Sequence, residues 1–137
     1  MQIMDMNYKI AEKDFMPVSK KLAYAKDARD FSEFCEATCS NLFAYSPYHL
    51  QLDREAFLDF QEQADALKDR IGEEEVDMDE LECLCGNLRK TYMRLLQGGW
   101  QTFVENAESG CDSGNFLAAQ LMIVAKYNHR LNNTERD

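Results

Sequence analysis

Five cysteines and two histidines are the residues of this chain best suited to metal binding or nucleophilic chemistry, and their spacing argues against both. Cys35 and Cys39 are four apart and share a face if the segment is helical, whereas Cys83 and Cys85, two apart, point about 200° from each other on a helix. A tetrahedral zinc site needs its ligands to converge, and the second pair cannot do so without a break in its helix. Small buried thiols filling core space are the simpler reading. Cys111 lies in a loop-like Ser-Gly-Cys-Asp-Ser-Gly stretch, where neighbouring acids would raise its pKa and blunt its nucleophilicity. His49 follows Ser46-Pro47-Tyr48 in a loop-like segment, and His129 stands among polar residues near a helix end. Neither has a glutamate three positions before it, as a di-iron bundle requires; Ser46 and Lys126 occupy those places.

Phosphate and calcium chemistry fare no better. Gly98-Gly99 lacks the spacing and the lysine of a phosphate-binding loop, and Asp77, Asp79 and Glu80 lack the glycine and distal glutamate of a calcium loop. The expectation is a non-enzymatic protein that needs no cofactor and no metal.

Carboxylates are what the chain has in excess. The net charge over 137 residues is −10, and residues 53–82 alone hold thirteen acids against three bases. Residues 1–52 and 83–137 are close to neutral. Such a field repels phosphate backbones and anionic membranes and attracts basic protein surfaces. Direct nucleic-acid binding, which needs a basic footprint, is not expected. Nor is a membrane span, since no window approaches the roughly 18 uninterrupted apolar residues that one requires. Met1 to Lys13 does not read as an export signal, so reduced thiols in a cytoplasmic setting are the expectation.

The elements that must present these charges are helical. With 45% hydrophobic residues and only two prolines and six glycines, the composition suits long helices with short connections. A long helical region runs from about Ser19 to Tyr45, with Ala28, Phe31, Cys35, Thr38 or Cys39 and Leu42 on one stripe. Ser46-Pro47 ends it. The clearest helix starts at an Asp53 cap and runs to about Ile71, placing Phe57, Phe60, Ala64, Leu67 and Ile71 on one side. Glu55, Asp59, Glu62, Asp69 and Glu73 fall on nearly the opposite side, and Gly72 with Glu73–Glu75 forms the exit. Asp77 with Glu80 reads as the cap of the next helix, which carries Leu81, Leu84, Cys85, Leu88, Tyr92 and Leu95. Arg89, Lys90 and Arg94 come late in that helix, where positive charge suits the dipole.

A short helix over Trp100–Ala107 and a final one over roughly Gly114 to Leu131 complete the plan, with residues 1–17 as an arm or short helix. Phe116 to Ala125 is apolar almost all round, interrupted only by Gln120, so it is either central in the core or covered by a partner. The fold expected is all-α, a single-domain bundle of four to five helices.

The function this points to is a regulator or inhibitor that docks an acidic helical face on a basic surface of a larger protein, its carboxylates standing in for nucleic-acid phosphates. The candidate contacts are Glu55, Asp59, Glu62, Asp69, Glu73, Glu74, Glu75, Asp77 and Asp79. The competing expectation is a structural or chaperone-like helical subunit that contacts a partner, or a second copy as a homodimer, through its apolar C-terminal helix and Met-rich arm (Met1, Met4, Met6).

Overall fold

In a computed structural model, which describes residues 22–45, 53–73, 75–97 and 112–134, four helices share one hydrophobic core and no strand occurs among the described residues. The helices are α1 (Ala25–Tyr45), α2 (Arg54–Ile71), α3 (Met78–Gln97) and α4 (Asp112–Thr134). The N-terminal arm, the helix expected over Trp100–Ala107, His49, Glu74 and Cys111 lie outside the described residues.

Local sequence sets each start. Asp27 of α1 turns its carboxylate back, and its Oδ2 accepts hydrogen bonds from the backbone amides of Ala23 (2.8 Å) and Tyr24 (3.1 Å). This is the reciprocal half of a capping box. It explains how an acid in a first turn comes to be buried, and why the helix begins at Ala25 rather than near Ser19. Asp53 caps α2 as its type predicts, with Oδ1 accepting from the Ala56 amide at 3.2 Å. Asp53→Ala is expected to lower stability by about 1 kcal/mol, read as a shifted urea midpoint at unchanged slope. Asp77 does the same for α3, its Oδ1 accepting from the amides of Asp79 (3.0 Å) and Glu80 (3.4 Å).

The helices run up, down, up and down. Phe43 meets Phe57 and Glu36 meets Lys68, so α1 and α2 are antiparallel. Asp59 with Arg94, Gln63 with Thr91 and Glu80 with Arg70 give the same sense for α2 and α3. Asn41 with Gln120 and Asp30 with Arg130 give it for α1 and α4. Helix α1 is the hub, packing on each of the other three.

Phe31, Cys35 and Leu42 of α1, Phe60 and Leu67 of α2, and Leu81, Cys85 and Leu88 of α3 are fully buried. All come from the apolar stripes that the spacing defines. Burial pushes the thiols of Cys39 and Cys85 up to about 12 and that of Cys35 well above its ordinary value. These sulfurs are therefore protonated at neutral pH and behave as apolar filling. Cys83 is exposed while Cys85 is buried, the divergence that their two-residue separation dictates.

Two polar residues depart from expectation. Gln120, which reads as an interruption of an apolar helix, is completely buried. Its Nε2 donates to Thr38 Oγ1 (2.8 Å) and Tyr92 Oη (3.2 Å), and its Oε1 accepts from Asn41 Nδ2 (3.2 Å). The Asn41 amide also donates to the Phe116 carbonyl at 3.3 Å. Three helices are thus joined by one polar network in the core, while Met122 on the same apolar run is 74% exposed. Arg89 is the second departure. Instead of serving the α3 dipole it turns inward, its guanidinium carbon 4.8 Å from the centre of the Phe31 ring, and the ring face attracts the charge. Burial raises the Tyr127 hydroxyl to about 12, and the adjacent Arg89 charge works against that rise.

Candidate acidic interface

Helix α2 sorts its side chains cleanly because its apolar residues repeat at steps of three and four. Ala56, Phe57, Phe60, Ala64 and Leu67 are buried against α1 and α3. At about 100° per residue, Glu55, Leu58, Glu62, Asp65 and Asp69 lie within about 80° of arc on the opposite side. All five are exposed, and Leu58, 49% accessible, is an apolar residue standing in the acidic row.

The nine carboxylates expected to form the interface meet different fates. Glu55, Glu62 and Asp69 stand on the outer ridge and make no ion pair among the described residues. Asp59 sits on the flank toward α3, where its Oδ2 is 2.9 Å from Arg94 Nη2. Glu73 pairs with Arg70, whose other nitrogen is 2.5 Å from Glu80 Oε2. Asp77 is engaged as the α3 cap. Glu75 and Asp79 are exposed at the α2–α3 corner, and Glu74 lies outside the described residues.

The ridge is consequently narrower than the sequence suggests, and it gains a member. Asp65 is exposed in the same arc, three residues after Glu62 and four before Asp69. A stricter reading of the helical period would have found it. Glu62, Asp65 and Asp69 are then consecutive like charges at the i,i+3 and i,i+4 spacings where helix neighbours repel. Three nearby cations are committed elsewhere, while Arg54 stands exposed beside Glu55 at the start of the helix. Lys68 reaches across to Glu36 at 3.0 Å, Arg70 to Glu73 and Glu80, and Arg94 to Asp59.

The ridge presents four carboxylates over about 21 Å of helix, from 1.5 Å of rise per residue. One nucleic-acid strand carries a charge every 3.4 Å or so of duplex axis, so the ridge, with about 7 Å between successive charges on average, has roughly half the linear density of a strand. Chemically, it can accept hydrogen bonds from lysines and arginines at several points in a row.

Among the described residues no three His, Cys, Asp or Glu side chains are grouped so as to hold a metal ion, and no helix is long and apolar enough to cross a membrane. Compared with known protein families, with characterised proteins and with solved structures, the chain matches none.

Proposed function

We propose that this chain is a non-enzymatic binding protein that docks the outer face of α2 on a basic surface of a larger protein, such as a nucleic-acid-binding groove, and so regulates or inhibits it. The observation that carries this reading is the row Glu55, Glu62, Asp65 and Asp69, exposed and in no ion pair among the described residues, with the nearby Lys68 charge, which also attracts Asp65 and Asp69, bridged to Glu36. Like charges held this close are unfavourable for the isolated fold, and a basic partner relieves that repulsion. The corner acids Glu75 and Asp79 extend the surface beyond the helix.

Affinity capture from the source cell at a series of salt concentrations tests the proposal. Proteins held by the wild-type chain should elute as the screening length falls from about 8 Å at physiological ionic strength to about 3 Å near 1 M. They should also be displaced by heparin or duplex DNA competing for the same basic surface. Capture that ignores both salt and polyanion would sink the proposal.

A second reading draws on α4. Met122 is 74% exposed, Leu121 is half-buried, and Ala118 and Ala125 are exposed, all within about 100° of arc on α4. Such a face suits self-association or a helical partner. Sedimentation separates the two: a stable dimer that Met122→Asp converts to monomer favours this second reading.

A further inference from the structure

A cleft of about 430 Å³ opens between α1 and α4, apart from the α2 ridge. Its floor is apolar, formed by Phe34, Ala37, Ile123 and Tyr127. Its α1 wall carries Asp30, Glu33 and Glu36, and its α4 wall carries Lys126 and Arg130. The volume falls within the range of pockets that take small organic ligands.

Asp30 sets the chemistry. The residue is only 9% exposed, and its Oδ2 is buried without a hydrogen-bond partner. The nearest counter-charge to its Oδ1 is Arg130 Nη1 at 3.9 Å, too far for a hydrogen bond. Arg130 instead directs that nitrogen at Glu33. A carboxylate withdrawn from water with no donor aimed at it is unfavourable, and burial accordingly raises the Asp30 pKa against the opposing pull of Arg130 and Lys26. What the carboxylate lacks is an N–H donor bearing positive charge. The apolar floor beside it suits a flat apolar body. An anionic ligand fits less well, because Arg130 is already engaged by Glu33 and the buried Asp30 carboxylate would stand against it.

We propose that the α1–α4 cleft binds a small organic cation, an amine or amidinium on an apolar body, with its charged head on Asp30 and its body over Phe34, Ala37 and Ile123.

Benzamidine and phenethylamine are suitable probes, with benzamide and benzoate as neutral and anionic controls. In amide-resolved NMR titrations the two cations should give saturable shifts confined to α1 and α4, centred on Asp30, Ala37 and Ile123. Benzamide should bind about tenfold more weakly than benzamidine, because a charge-assisted hydrogen bond is lost. Asp30→Asn should weaken benzamidine by a similar factor with the helical circular dichroism unchanged. Ala37→Phe, which fills the floor without touching a charge, should abolish binding, and it tests the same cleft if the Asp30 variant does not fold. Absence of saturable shifts with both cations up to about 10 mM overturns the proposal, as does benzamide or benzoate binding as tightly as benzamidine.

Discussion

Gln120→Leu is expected to destabilise the fold by about 3 kcal/mol, although it replaces a polar residue in the core with an apolar one of similar size. Three hydrogen bonds end on the Gln120 side chain: its amide nitrogen supplies Thr38 and Tyr92, and its oxygen receives Asn41. Leucine leaves those groups where they are. Asn41 retains only the Phe116 carbonyl, and the oxygens of Thr38 and Tyr92 lose a donor in a region with no accessible surface around Gln120. Each buried group left short of a partner carries a penalty of about 1–3 kcal/mol, partly offset by the added apolar contact. Against a total stability of about 5–15 kcal/mol for a domain, such a loss is large and readily measured by urea unfolding. Asn41→Leu combined with Gln120→Leu should cost at least about 1 kcal/mol less than the two single changes added together. A neutral or stabilising Gln120→Leu would mean that these groups do not act as a network.

That network also marks where sequence reading stops. Gln120 lies four residues after Phe116 and four before Val124, on the stripe that also includes Tyr127, and all three of those residues are buried. Spacing alone therefore places it inside. Polarity argues the other way because its partners lie 28, 79 and 82 positions distant in the chain, and no local pattern announces them. Arg89 is the same case with a charge. It follows Cys85 by four and Leu88 by one on a helix whose inner side is crowded with rings, yet a cation late in a helix reads as a dipole partner until Phe31 is seen beneath it. Helix α2, by contrast, is legible from end to end. Its cap, its apolar period and its acidic outer face each depend on neighbours within a few residues, so one dimension suffices.

The candidate interface is legible to the extent that it depends on one helix. The angular position of Glu55, Glu62 and Asp69 follows from the period. Whether a carboxylate is neutralised depends on what crosses from another element, and Arg94 reaching Asp59 across thirty-five residues cannot be read from α2 alone. The α1–α4 cleft is not legible at all. Asp30 is separated from Arg130 by most of the chain, and only the antiparallel register of the two helices makes them the opposing walls of one space.

Neutralising the ridge should raise stability while removing binding, a pairing of effects that a merely solvated face does not predict. In the triple variant Glu62→Gln, Asp65→Asn, Asp69→Asn, the like-charge contacts at three- and four-residue spacing disappear. None of the three carboxylates takes part in a cap or an ion pair among the described residues, and the attraction of Lys68 for Asp65 and Asp69 that is lost with them is weak, because that lysine is exposed and already bridged to Glu36. The melting temperature should rise by a few degrees at low salt, and the gain should shrink as salt rises, since screening already weakens the repulsion. Affinity for a basic partner should fall about a hundredfold, for three lost contacts at the upper end, about 1 kcal/mol each, of what exposed ion pairs contribute. The loss should be greatest at low ionic strength and should lie partly in the association rate, because long-range attraction acts before contact. Asp59→Asn, on the flank and already held by Arg94, is the matched control and should leave affinity within a fewfold of wild type. If the triple variant is more stable and still captures the same protein with the same salt dependence, α2 owes its acidity to solubility, and the contact surface lies on another face.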